Sequence, residues 1–469
     1  MFKKILLISV ILSLLVTTGL GCKGGSQVAQ QAFSKKVTLK YWRVFDEEDT
    51  MTDLFTAYSA IHPSVTIEYK KWRYDEYQNE LLNAFAEDRG PDIFSVQSTW
   101  LGEYIPKLSA APKSVTLPYM TTTGTIKKEQ VVEFRTTRGL LVTDINTNFV
   151  DQVAYDVIWR DKKTGVDSIF GVPLAMDTLV MFYNKALLNN AGIPEAPKNW
   201  SDFQKAVKAI TRFDSKNNII LAGAALGTAN NVERSSDILG LVMMQNGAVM
   251  ETEERSVLFN EMPQELKEVR VLPPGEEALR FYTDFASPVK EVYTWSDAMP
   301  NSLDAFVSGK VGFFFGYSYH IPLIKQRSPK LNFGVAKVPQ IAGNPDVNFA
   351  NYFVEVVSKK SVNQNEAWDF LKFITTTQEV TKKYLDKTKK PTALRNLVLE
   401  QTEDVDIGPF ASQVLTAKSW YKGYDALATE KIFKEMIDLA NKGEYKFREI
   451  INNAADKTAQ TTFSRVAEE

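Results

Sequence analysis

The sequence predicts an α/β fold of two or more lobes, on three observations. β-Branched and aromatic runs alternate with segments of helical period through the first third of the chain, and the same alternation returns with different residues after position 179. The third is size: 469 residues, 44% hydrophobic and 24% charged, are ordinary globular proportions at a length that supplies at least two cores.

Val37–Trp42 is a short strand, and Glu47–Ile61 is helical in period until His62-Pro63 stops it. Val65–Tyr69 is a second strand. Tyr74–Arg89 is a helix with Tyr77, Leu81, Leu82 and Phe85 on one face, ended by Gly90-Pro91 before the strand Asp92–Val96. Strand and helix alternating at this spacing predict a parallel sheet with right-handed crossovers. Ligands of such sheets bind beyond the carboxyl ends of the strands, which singles out Arg43–Asp46, Lys71–Tyr74 and Gln97–Trp100.

Further along, Leu179–Tyr183 is a strand and Lys185–Ala191 a short helix ended by Gly192. Asn199 caps a helix carrying Phe203, Ala206, Val207 and Ile210, and Ile219–Leu226 is another strand. Pro273-Pro274-Gly275 lies in a loop before the helix Glu276–Phe285. Phe353–Val357 is a largely buried strand, and Asn363–Thr376, Glu430–Asn441 and Arg448–Thr462 are amphipathic helices. Residues 109–170 are given no role from the sequence.

The N-terminus has its own grammar. Lys3 and Lys4 precede the apolar run Ile5–Val16, shorter than the ~20 residues that span a bilayer, so residues 1–21 read as a secretory signal. Gly19-Leu20-Gly21-Cys22 resembles the lipobox of bacterial lipoproteins, although Gly19 stands where that pattern prefers Leu. The resemblance implies a lipidated Cys22; the alternative is an ordinary signal peptide cut nearby. Stable anchoring takes two or more acyl chains. Residues 22–36 then form a lipid-anchored flexible linker, reaching ~20 Å as a random coil.

Composition excludes several classes. One cysteine in an exported chain leaves no disulfide, so stability must come from packing. A net charge of −2, lowered by two on loss of the signal, does not suggest a nucleic-acid partner. His62 and His320 have no metal or triad spacing, Asp214–Asn218 lacks the glycine and glutamate of a calcium loop, and Gly309-Lys310 is followed by Val311 rather than Ser or Thr. No cofactor or metal is expected.

Gly171-Val-Pro-Leu-Ala-Met-Asp-Thr-Leu-Val-Met-Phe-Tyr-Asn-Lys185, with Ala191-Gly-Ile193 and Trp200-Ser-Asp-Phe203, resembles the extracellular solute-binding family typified by maltose-binding protein. Tyr41-Trp42, Gly90-Pro-Asp-Ile93, Ala305-Phe-Val-Ser-Gly309 with Phe313-Phe-Phe-Gly316, and Asn332-Phe-Gly-Val335 with Pro339-Gln340 match it in order. The resemblance implies a periplasmic-binding-protein-like fold: two α/β lobes joined by three hinge crossings, with a ligand cleft between them. The crossings fall near Leu174–Asp177, Asn351–Val354 and Pro391–Leu394, giving an N-terminal lobe of 37–174 plus 352–392 and a C-terminal lobe of 175–351 plus 393–469. Pro173 and Pro391 suit hinges and equally suit strand ends.

The implied function is a non-enzymatic, monomeric receptor, held to the outer face of the cytoplasmic membrane by its N-terminal lipid. It would deliver a carbohydrate to an ABC-type permease. The same fold binding a polyamine, peptide or glycerol phosphate is a second reading, and an extracellular glycan hydrolase a third. Sugars call for flat rings that stack on C–H faces and for amides or carboxylates that bind hydroxyls. Trp42 and Asp46 at the first strand end, and Gln97 and Trp100 at the third, are candidates from position alone; each has a packing or capping alternative. Carried over from the family are Asp177 at an acidic hinge position, Tyr317 or Tyr319 where Ser318 replaces an expected Trp, and Trp420 in a late aromatic segment. Asn351 and Tyr352 lie at the second crossing. Trp295 is assigned to packing.

Overall fold

The structure is a computed structural model that describes residues 27–124, 128–161, 163–252 and 254–462. The signal segment and Cys22 lie outside them. Among the described residues no helix is long and apolar enough to cross a membrane.

The first sheet grows from the chain start. Strand β1 (Val37–Val44) runs parallel to β2 (Val65–Trp72) and β3 (Ile93–Gln97), with the helices Glu48–Ser59 and Tyr74–Ala86 as crossovers. Leu39, Tyr41, Ile93 and Phe94 are all fully buried, as strands covered on both faces require. The short β4 (Leu108–Ser109) follows. The stretch 109–170, left without a role, then forms a hairpin of two ten-residue strands, β5 (Ser114–Thr123) and β6 (Glu129–Arg138), two short helices, and a second hairpin of β7 (Ile158–Arg160) with β8 (Asp167–Ile169). Val115 and Leu117 are buried on alternate positions of β5, a period-2 signal obscured by the Thr-rich remainder.

The chain then crosses. β9 (Asp177–Thr178) leads into β10 (Val180–Asn184), followed by β11 (Arg212–Phe213), β12 (Ile219–Ala224), β13 (Val311–Gly316) and β14 (Phe333–Ala336), a sheet of order β11-β12-β13-β10-β14. The helix Trp200–Ile210 covers it as expected, its Asn199 side chain accepting the Asp202 N–H at 2.9 Å and Phe203, Val207 and Ile210 buried. β15 (Asn348–Asn351) returns the chain, and β16 (Phe353–Ser358) inserts antiparallel between β3 and β4, completing the order β2-β1-β3-β16-β4. The first three strands are parallel as expected, and the sheet becomes mixed only with β16, which enters from the other lobe and not through a crossover helix. Finally β17 (Ala417–Lys418) pairs with β15, which pairs with β9. Two of the crossing segments, at β9 and β15, are thus bound to each other in a small sheet that β17 completes.

Two hydrophobic cores result. One centres on Tyr41, Phe94, Val356 and Leu371, and the other on Phe182, Phe203, Trp295 and Phe313. Ala393, Leu394, Leu397 and Val398, assigned to the C-terminal lobe, pack into the first core because the Val150 N–H donates to the Ala393 carbonyl at 3.1 Å and Leu394 bridges Phe149. The expected flexible linker is in part the helix Gln27–Ser34, lying against the β5–β6 hairpin with Ala29 buried.

Candidate functional site

A cavity of about 370 Å³ lies between the lobes. The ends of β1 and β3 deliver Arg43, Phe45 and Gln97 to it, the turn after β13 delivers Tyr317 and Tyr319, and the hinge strands deliver Asp177 and Asn351. A smaller compartment of about 60 Å³ adjoins it, sharing Gln97, Arg234 and Asn351 and adding Trp100 and Trp420.

The floor is a buried ionic network. The Arg43 guanidinium pairs with Asp46 and Glu355, each at 3.1 Å, and donates to Ser95 Oγ at 3.2 Å. Ser95 Oγ–H donates to Glu355 at 2.7 Å. Asp46 also receives the Lys390 ammonium at 2.6 Å and the Tyr384 hydroxyl at 3.0 Å. Burial opposes ionisation of Asp46, but Lys390 and Arg43 outweigh it and hold the carboxyl below 3.8. Burial likewise opposes the charge of Lys390, and Asp46 reverses that effect.

Asp177 is held differently. It accepts the Thr178 N–H at 2.9 Å, the Ser318 N–H at 2.9 Å and the Ser318 hydroxyl at 2.6 Å, so it ties β9 to the turn after β13 while lining the cavity. Burial pushes its pKa up to about 6, the three hydrogen bonds only moderating the rise. In the folded ligand-free protein this group therefore binds a proton between pH ~4 and ~6 that the unfolded chain does not, so it adds stability as pH falls through that window, opposite in sign to Asp46. A ligand hydroxyl donating to the carboxylate would reverse the preference for the proton. Affinity is therefore expected to be flat above pH ~7 and to fall below pH ~6, by up to about tenfold per unit, with Asp177→Asn abolishing the slope; calorimetry across pH checks it.

Between the compartments stands a polar partition. Gln97 Nε2 donates to Asn351 Oδ1 at 2.8 Å, Asn351 Nδ2 to Asp237 Oδ2 at 3.3 Å, and the Tyr317 hydroxyl to the same oxygen at 2.6 Å. Arg234 grips Asp237 through two hydrogen bonds of 2.8 Å and reaches Glu430 at 3.3 Å.

Aromatic rings form the opposite wall. Phe45 stacks on Tyr74 at 5.6 Å and on Tyr319 of the other lobe at 6.1 Å, while Tyr74 continues to Trp100 at 6.1 Å. Phe45 is the centre of a three-residue turn closed by the Asp46 N–H to the Val44 carbonyl at 2.9 Å, with φ of +70°. That conformation is strained for a side chain with Cβ, and it persists because β1 fixes Val44 and the ionic floor fixes Asp46.

The structure brings Gln97, Asp177, Tyr317, Tyr319, Asn351 and Tyr352 to the main cavity, and Trp100 and Trp420 to its neighbour. Two candidates fall outside. Trp42 packs on Trp72 at 4.9 Å with the Lys70 ammonium over both rings, because strand alternation turns it away from Arg43. Asp46 lies in the floor, engaged by Lys390, Arg43 and Tyr384. Although Tyr352 lines the cavity, its hydroxyl donates to Asp156 at 2.6 Å. Trp295 is fully buried. Sequence reasoning missed Phe45 and Tyr74 individually, though both sit in the strand-end segments it singled out. Arg234, Asp237, Tyr384 and Lys390 carried no local signal.

Residues 53–406 match the family described as bacterial extracellular solute-binding protein. The chain belongs to this family. Curated relatives include a putative binding protein of Brucella abortus, 21% identical over 68% of this chain and 66% of that one. The multiple sugar-binding protein of Streptococcus mutans is 25% identical over 54% and 57%, and the diacetylchitobiose binding protein DasA of Streptomyces coelicolor 22% over 71% and 68%. The chain thus spans just under two thirds of the length of the Brucella relative. In fold, it resembles a cyclo/maltodextrin-binding protein complexed with maltotetraose, with a TM-score of 0.70, 14% identity and coverage of 93% and 99%. A cyclic α-maltosyl-1,6-maltose binding protein of Arthrobacter globiformis gives 0.68, 18%, 91% and 99%. Membership of this extracellular family implies an exported protein.

Proposed function

We propose that the protein is the non-enzymatic receptor of an ABC-type importer and captures a neutral carbohydrate in the interlobe cavity, working as a monomer. The observation that carries this reading is the pairing of the cavity's charges beside an aromatic wall. Arg43 and Lys390 are neutralised by Asp46 and Glu355, and Arg234 by Asp237 and Glu430. A phosphate would need an unpaired cation, and a polyamine several carboxylates to meet its charges; outside these pairs the lining of the main cavity offers the single carboxylate Asp177, which with three hydrogen bonds already accepted has room for one ligand hydroxyl. Stacked rings beside amides suit sugar faces and hydroxyls. The relatives named for sugars and for diacetylchitobiose add support.

Cys22 as a lipid anchor completes the reading, since a tethered receptor stays within reach of its permease. The lobe boundaries sketched from sequence, with 393–398 moved to the first lobe, give the two bodies that close on the ligand. A thermal-shift panel of neutral sugars, phosphorylated sugars and polyamines tests the ligand class. A neutral sugar at 100 times its Kd is expected to stabilise the protein by about 2.7 kcal/mol; stabilisation by a polyamine or phosphate alone would overturn the reading.

A further inference from the structure

We propose that the stacked rings of Phe45 and Tyr319 are a cross-lobe gate that caps the cavity and selects a short ligand over a long one. The length part of this proposal rests on the carbohydrate reading above; the gate does not.

Both rings line the cavity, yet Phe45 is 48% and Tyr319 39% exposed, whereas Tyr317 and Gln97, which also line it, are buried. A ring with one face on a cavity and the other in solvent is the wall between them. The two rings come from different lobes, Phe45 from the turn after β1 and Tyr319 from the turn after β13. They are parallel to within 3° at a centroid separation of 6.1 Å, an offset stack in the favourable range. Any separation of the lobes must break this contact, and closure remakes it.

Phe45 is set in place rather than left to swing. Its left-handed backbone is pinned between β1 and the Asp46–Arg43–Lys390 network, Tyr74 stacks on it, and Phe353 meets it edge-on at 5.7 Å. A ring so braced on one lobe is a fixed stop against which the Tyr319 ring closes. Where the cavity meets the smaller compartment, which Phe45 and Tyr319 do not line, the Gln97–Asn351–Asp237 hydrogen bonds form its other boundary. A ligand between two such boundaries has a fixed length. A longer chain must either hold the gate apart or break the partition, and loses the corresponding contacts.

Two experiments test this, one without any ligand. In a Cys22→Ser background, Ala175→Cys places a thiol on the cavity lining. Its alkylation by a small charged reagent is expected to be at least about tenfold faster when Phe45 is also replaced by Ala; equal rates would overturn the gate. Because Phe45 and Tyr319 are exposed, their truncation leaves both cores intact, and unfolding midpoints confirm it. In the second experiment, one-, two-, four- and six-ring members of the sugar series found to bind are titrated by calorimetry. The wild type is expected to bind the four-ring member at least about tenfold more weakly than the two-ring member, and Phe45→Ala and Tyr319→Ala to bring the two within about threefold. A wild type indifferent to length would overturn the selection. Failure of every sugar would sink the carbohydrate reading and with it the length claim, while the alkylation rates still decide the gate.

Discussion

Glu355→Ala is expected to cost about 3–5 kcal/mol of folding stability, the largest single-residue effect in the molecule's floor network. Glu355 is fully buried on β16 and faces Arg43 across the first sheet at 3.1 Å. Truncation leaves the guanidinium with Asp46 alone, which Lys390 also draws on, and strips Ser95 of its acceptor. The penalty is the uncompensated buried charge rather than the worth of the pair. Urea unfolding of the variant should show an earlier midpoint with an unchanged slope. The same network gives the pH behaviour its sign: Asp46, held below 3.8, contributes stability throughout the neutral range and loses it only as pH falls through its folded value.

Asn351→Ala is expected to weaken ligand binding by about 10–100-fold, measured by calorimetry. Asn351 connects Gln97 of the first lobe to Asp237 of the second, and it pairs with Asp177 across the hinge sheet. Its loss frees a buried amide and a carboxylate lone pair together, each costing about 1–3 kcal/mol when unmatched. Sites built on such polar groups discriminate strongly, because an unmet hydrogen bond is penalised in the complex. The unfolding midpoint should fall as well, since the bonds to buried Gln97 and Asp237 exist without ligand, so affinity is read at a temperature where the variant is fully folded.

These two residues mark the limits of what sequence shows. The strands and helices were legible where hydrophobic period is strong: Val37–Val44, Tyr74–Ala86 and Trp200–Ile210 all form near their expected bounds. The β5–β6 hairpin was not, because its Thr-rich outer face carries no contrast with the strand interior beyond Val115 and Leu117. Site residues at strand ends were visible as segments. Which of them face the cleft was not, since Trp42 and Arg43 are adjacent in sequence and opposite in direction. Arg43–Asp46 and Arg234–Asp237 are three positions apart, but Lys390 joins Asp46 from 344 positions away and Glu430 joins Arg234 from 196, and nothing in a linear reading makes those connections.

The left-handed turn at Phe45 makes the same point in one residue. It is an aromatic side chain at a position that ordinarily favours glycine, kept there by contacts formed only in the folded state. The site thus depends on long-range ion pairing to hold a local strain, which explains why its geometry emerges only with the fold.

The crystal structure of the protein with its bound solute tests the central claim most directly. The account predicts a neutral sugar inside the interlobe cavity, a ring packed beneath the Phe45–Tyr319 stack, and hydroxyls on Gln97, Asn351 and Asp177. A solute seated outside this cavity, or a charged solute paired with Arg43 or Lys390, would contradict it.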